Sequence, residues 1–384
     1  MSPPSRYSLC GPWPCAIQEK RNFSHPLSKD LFSMLLGRYL FQSVFIDQAI
    51  LSEFKGVDFR GAFGPALKKV VCALKQLDCS GCSLSRRCLY PLVFGGAEHK
   101  DRRAPSTVRS RPARSVARLP GRPLTIVVRQ DQERAREARD RLATSPHPCV
   151  IEPPDSAQIR FHPREAFAFE LLLFGKANES IPYFVQAFQQ MGRMGVGRSV
   201  EGRRSRFLLQ TVRAAERVLY AGEGQPILDE AATVDLKKRL LYDLATVPAD
   251  LSGSLTVRLR TPLKLKSGHP ENVSLPFDAL VRETLQRVAS LCHAFGNGEP
   301  ALDYRGLTER ATRVQTLGQA LEAVNPVDGT NRRDRELLQG GLTGEVRYGD
   351  GWAEFFPLLR FAEQVHLGEE TTFGLGRIEL VRSV

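Results

Sequence analysis

The sequence predicts an α+β protein made of two tandem domains that repeat one order of strands and helices. Three observations carry that expectation. At 384 residues and roughly 150 residues per domain, the chain suggests two or three domains, each long enough to bury a core. Its 42% hydrophobic and 25% charged residues are those of a globular chain rather than a disordered one. A weak internal duplication then runs strand, helix, Gly-x-Gly with an arginine, strand, once in each half.

In the first half the duplicated unit begins with a strand-like apolar run, 166–174 (AFAFELLLF). A helix-like segment, 182–191, follows, then Gly195, Gly197 and Arg198, then a strand at 206–212. In the second half, 342–348 is strand-like and 352–365 has helical apolar spacing. Gly374, Gly376 and Arg377 come next, and 378–381 closes the unit. Upstream, each half also shows a strand and then a helix: 40–51 with 62–77, and 255–263 with 277–294. Apolar residues at intervals of three and four define these helices, as with Leu67, Val70, Val71 and Leu74. With one unassigned strand apiece, both halves fit βαββαβ, the ferredoxin-like (RRM-like) arrangement. The glycines at 222–224 divide the chain into domains at 1–222 and 223–384.

The formal charge is +12, and its position is informative. Residues 100–122 hold eight basic side chains against Asp101, a net of +7. Residues 193–217 hold seven arginines against Glu201 and Glu216, a net of +5. Clustered arginine is the electrostatic footprint of a polyanion binder; the alternative is a solubilising surface. The stretch 96–123, rich in Arg, Pro and Ser, reads as a flexible basic insertion, and 130–142 as an exposed helix. No apolar run approaches the roughly 18–20 residues of a membrane span, and the N-terminus lacks a continuous apolar signal core. The expected location is the cytoplasm.

Cys72, Cys79, Cys82 and Cys88 lie within 17 residues, spaced C-x6-C-x2-C-x5-C in a Cys-rich insertion at 72–94. That density suits a structural tetrahedral zinc site, and a set of small buried thiols is the alternative. Cys10, Cys15, Cys149 and Cys292 are scattered and read as ordinary thiols.

Five blocks carry a resemblance: FRGAFGPALKKVVC (59–72), CSGCSLSRRCLYPLVF (79–94), FELLLFGKANESIPYFVQAFQQMGRMGVGR (169–198), LRTPLKLKSG (259–268) and VHLGEETTFGLGRIEL (365–380). In them the chain resembles the RAMP superfamily of CRISPR-associated proteins. More closely, it is similar to the endoribonucleases that cut precursor CRISPR RNA within its repeats. The resemblance implies two ferredoxin-like domains side by side and metal-independent cleavage. In that reaction the upstream 2′-hydroxyl attacks the phosphate, leaving a 2′,3′-cyclic phosphate and a 5′-hydroxyl. It also implies retention of the guide RNA, with other Cas effector subunits as possible partners. A non-catalytic RAMP subunit holding the guide RNA is the other reading.

The implied chemistry needs a general base and a general acid, and histidine suits both. His366 leads the seven histidines because it precedes the Gly-rich loop in the matched block, and His25 is second. Many members carry Lys just after His-x-Gly; here that position is Glu369. Tyr39 and Lys55 are further candidates for orienting or stabilising a phosphorane. Gly374, Gly376 and Arg377, with the equivalent Gly195, Gly197 and Arg198, can bring backbone N–H groups and charge to a phosphate; a ligand-free tight turn is the alternative. Arg193, Arg203, Arg204 and Arg206 belong with the RNA backbone, and Arg60 can donate to a phosphate near a helix start. Phe59, Phe63, Tyr90 and Phe94 suit base stacking or, more commonly at this spacing, a core.

Overall fold

The structure is a computed structural model. It describes residues 34–74, 79, 82–85, 87–94, 146–200, 202–229, 232–248, 251–265, 273–324 and 332–383. The basic insertion at 96–123, the helix expected at 130–142 and His25 lie outside these residues.

The first half opens with β1 (Leu35–Phe45) and a short β2 (Ala49–Ile50). Tyr39, Phe41 and Phe45 alternate inward on β1, which fixes its face. Helix α1 (Gly56–Val71) begins six residues before the sequence expectation. Asp58 in its first turn accepts from Ser52 N at 2.6 Å and anchors that earlier start. α2 (Leu89–Phe94) and β3 (Cys149–Glu152) follow. β4 (Arg160–Phe161) pairs with β2, and β5 (Ala166–Phe174) lies where the apolar alternation put it. A 3-10 turn, Gly175–Ser180, leads into α3 (Ile181–Met194). β6 (Val196–Val200) and β7 (Arg203–Ser205) make a hairpin, then come β8 (Phe207–Ala214), β9 (Arg217–Tyr220) and β10 (Thr233–Asp235).

The first sheet is antiparallel in the order β3-β5-β1-β8-β9, with β10 also on β1. β10, beyond the glycines at 222–224, therefore still belongs to the first sheet. One face is covered by α1 and α3 through an aromatic core. Phe41 stacks on Phe169 at 4.9 Å between ring centroids, and Phe188 lies 4.7 Å from both Phe41 and Phe63. Each such pair contributes about 0.5–1.5 kcal/mol beyond its buried area. Phe59, Phe63 and Phe94 are buried and Tyr90 packs against them, so these rings serve the core.

The second half contains α4 (Leu236–Ala245), β11 (Ser254–Leu263), α5 (Phe277–Phe295), α6 (Tyr304–Ala311), β12 (Thr316–Ala323), α7 (Arg332–Leu338), β13 (Leu342–Tyr348), α8 (Phe356–Val365) and β14 (Ile378–Ser383). Asp235 caps α4, accepting from Lys238 N at 3.0 Å, and Asp303 caps α6, accepting from Gly306 N at 2.9 Å. The second sheet is antiparallel in the order β12-β13-β11-β14. β3 and β12 are not marked by the sequence pattern, and neither are the short β4, β6, β7, β9 and β10.

The halves share a core. Leu36, Val150, Leu172 and Phe174 of the first sheet join the cluster formed by α5, α8 and the second sheet. Residues Phe32–Val384 form one compact unit.

Candidate functional site

His366 ends α8 at a sharp turn, with φ 61° and ψ 150°. Its ring is 0% exposed. Nδ1 lies 2.9 Å from Leu375 O, and Nε2 lies 2.9 Å from Glu152 Oε1, on β3 of the other half. Both ring nitrogens are thus engaged by oxygen atoms of the surrounding chain. Arg38 Nη1 approaches Glu152 at 3.3 Å and Arg377 Nη1 at 3.6 Å. Burial alone would raise the Glu152 pKa. The hydrogen bond and charge of His366, with Arg38 and Arg377, outweigh burial and hold it at about 2. From behind, the buried Arg287 donates to Val365 O at 2.9 Å and to Thr371 Oγ1 at 3.4 Å. Burial pushes the Arg287 pKa down to about 10.

The Gly374–Leu375–Gly376 loop is folded against protein. Gly374 has φ 85°, and a Cβ there would sit 2.7 Å from Ile151 O. At Gly376, with φ 76°, a Cβ would meet Leu367 O at 1.8 Å. Only glycine satisfies both the torsion and the approach at these points. Leu375 is fully buried. Thr261 Oγ1 donates to Gly374 O at 2.8 Å and accepts from Arg377 N at 2.9 Å, tying the loop to β11.

Beside the loop, between the halves, lies a cleft of about 220 Å³ lined by Lys55, Asp155, Arg260, Thr261, Gly374 and Arg377, among others. Lys55 immediately precedes α1; its side chain is buried and its Nζ donates to Ser156 O. Burial lowers its pKa, and the charges of Asp58 and Asp155 partly restore it. Arg260 Nη2 donates to Asp155 Oδ2 at 3.0 Å, and Arg377 Nη1 lies 3.6 Å from the same oxygen. Two arginines from separate segments thus meet at one exposed carboxylate, with the Lys55 side chain lining the same cleft.

The other Gly-x-Gly has a different setting. Gly195 and Gly197 enter the β6–β7 hairpin, which carries Arg198, Arg203 and Arg204 exposed to solvent. Arg206 follows it and grips Asp47 with Nε at 2.9 Å and Nη2 at 3.2 Å. Arg193, at the end of α3, donates to Glu223 at 3.1 Å.

Arg60 does not reach the surface. It is 2% exposed, its Cζ lies 3.8 Å from the centre of the Phe94 ring, and Nη2 donates to Val93 O at 3.0 Å. The apolar spacing of α1 turns this position inward, where the guanidinium holds α2. Tyr39 is also buried, donating from its hydroxyl to Asn178 Oδ1 at 2.9 Å. Neither lines the cleft. Among the described histidines, His162 and His293 are exposed, and His147 Nδ1 lies 3.2 Å from Val93 O. Cys72, Cys79, Cys82 and Cys88 are half-buried and form no disulfide. The Cys79 pKa is raised by burial, against the pull of Lys68; Cys72, Cys88 and Cys82 raise it further. Among the described residues, no group of three or more His, Cys, Asp or Glu side chains is gathered as a metal site. No described helix is long and apolar enough to cross a membrane.

Glu152, Asp155 and Arg260 were missed from sequence. Arg260 sat in a matched block, LRTPLKLKSG, and so could have been found; the two acids had no motif around them.

Residues 33–238 match the family model AF_1859_N, an N-terminal domain, over more than half of the chain. Residues 257–378 match the model described as CRISPR-associated endoribonuclease Cas6. The chain therefore belongs to the family that the first of these models describes. Its second half carries the similarity to the Cas6 endoribonuclease family. It is similar to an uncharacterized protein of Archaeoglobus fulgidus, 22% identical over 351 residues, covering 90% of this chain and 97% of that one. Among solved structures, a Thermus thermophilus Cas6 covers 91% of this chain and 99% of its own, at 13% identity and TM-score 0.42. A partial Cas6-RT-Cas1–Cas2 complex is matched over 93% of this chain at 11% identity and TM-score 0.49; this chain spans 47% of that one.

Proposed function

We propose that the protein binds CRISPR repeat RNA and cleaves it within the repeats without a metal ion. The 2′-oxygen attacks the adjacent phosphorus as the bond to the 5′-oxygen breaks. One proton leaves the 2′-hydroxyl and one arrives at the 5′-oxygen, giving a 2′,3′-cyclic phosphate and a 5′-hydroxyl. The observation that carries this reading is the cleft between the halves, where Lys55, Arg260 and Arg377 converge. Positive groups held in place there stabilise the charge of a phosphorane. Lys55, with its pKa lowered by burial, is suited to the phosphate and to proton donation.

His366 has a different role in this reading. A ring with both nitrogens engaged and no exposure positions the cleft rather than meeting the phosphate. His25 stays the candidate for proton transfer. The two halves, 1–222 and 223–384, are read as ferredoxin-like domains; the order of four antiparallel strands, second-third-first-fourth in each, supports this. Structural zinc on Cys72, Cys79, Cys82 and Cys88 rests on spacing, and bound metal measured by mass spectrometry tests it.

The second reading is a non-catalytic subunit that holds guide RNA beside other Cas proteins. It is favoured by one fact: no described histidine lines the cleft. Repeat RNA incubated with the protein in EDTA, with fragment ends mapped, separates the two. One cut site bearing a cyclic phosphate supports the nuclease. Tight binding without cutting supports the subunit.

A further inference from the structure

A second cleft, of about 190 Å³, lies at the foot of the β6–β7 hairpin, where Arg193, Arg206, Ile46, Leu208, Tyr220 and Gln189 meet. We infer that it is a pocket for a single unpaired nucleobase of the bound RNA, an inference that rests on the RNA-binding reading above.

The pocket's apolar part is unusual for a surface. Ile46 and Leu208 are 47% and 42% exposed. Val44 pairs with Leu208, and Ile46 N donates to Arg206 O at 2.9 Å. This register makes Ile46 and Leu208 diagonal neighbours on one face. Phe207 and Tyr220, both largely buried, also line the cleft. The cleft is large enough for one flat heterocycle.

The polar part is organised. Gln189 Nε2 donates to the Tyr220 hydroxyl at 2.7 Å, which fixes the amide in the wall where it can meet a base edge. Arg193 and Arg206 stand at the rim, each on an exposed carboxylate, Glu223 and Asp47. Exposed pairs of this kind contribute little and exchange readily for a phosphate. Arg198, Arg203 and Arg204 continue the positive surface along the hairpin. An exposed aliphatic wall with a cationic rim fits a base on an anionic backbone better than a protein side chain.

The test titrates the full chain with repeat RNA carrying single abasic sites, position by position, against wild type and the Ile46→Ser/Leu208→Ser double variant. Both positions are on the surface, and the unfolding midpoint checks that the variant is folded. Removing the one base that enters the pocket weakens wild-type binding about tenfold and does not weaken the variant further. A 4-thiouridine at that position crosslinks to the peptide spanning 206–220. If wild type binds and no abasic position shows this coupling or crosslink, the pocket assignment is overturned and the RNA reading stands. If wild type binds no repeat RNA, both fall.

Discussion

Gly195–Val196–Gly197–Arg198 and Gly374–Leu375–Gly376–Arg377 have the same pattern and differ in what their arginines meet. In both, the central residue is fully buried and the glycines approach other backbone closely. The first leads into a hairpin whose Arg198, Arg203 and Arg204 face solvent. The second lies between the halves, and its Arg377 approaches Glu152 and Asp155, at 3.6 Å each. A Gly-x-Gly followed by Arg therefore does not specify a ligand. What it meets in three dimensions decides whether it touches an anion or another part of the chain.

The largest effect should come from the second motif's surroundings. Glu152→Ala takes the carboxylate from the buried His366 ring and from Arg38 and Arg377, and should cost about 3–5 kcal/mol in urea unfolding. A loss near zero would erase the contrast between the two motifs. Acid should act on the same pair. Glu152 has a folded pKa of about 2, below its ordinary 4.5, so its contribution is present above pH 4.5 and is lost as pH falls toward 2. That contribution is about 3 kcal/mol, and Glu152→Gln should flatten the acid limb of stability against pH. Gly376→Ala combines a positive φ with a clash and should cost about 1–3 kcal/mol by thermal unfolding. In the hairpin turn, Gly202 has nothing within 4 Å of its Cβ position, so Gly202→Ala should cost less. The smallest change in stability belongs to Arg198→Ala/Arg203→Ala/Arg204→Ala. Its unfolding midpoint should match wild type, while the slope of log affinity against log salt falls by about 2. An unchanged slope would mean that the hairpin does not meet RNA.

Much of this frame was legible in the sequence. AFAFELLLF and LTGEVRY alternate or run apolar because both strands face a core, so β5 and β13 fall where the pattern puts them. β12 was not legible: TLGQALEA is an almost wholly exposed edge strand, and without a buried face there is no period to read. β3 is four residues long, too short for periodicity. His366 stood out in the sequence as a catalytic candidate, yet its partner Glu152 lies 214 positions away, and no local pattern encodes that pairing. Arg60 shows the reverse failure. Its type suggested a phosphate, whereas its helical phase placed it under Phe94.

The His366→Gln variant tests the account most directly, with two readings on one preparation: the urea unfolding midpoint, and cleavage of repeat RNA in EDTA well below that midpoint. The account predicts a lowered midpoint with cleavage close to wild type, because His366 holds the halves together and does not handle the proton. A wild-type midpoint with cleavage abolished would contradict it and make His366 the catalytic residue.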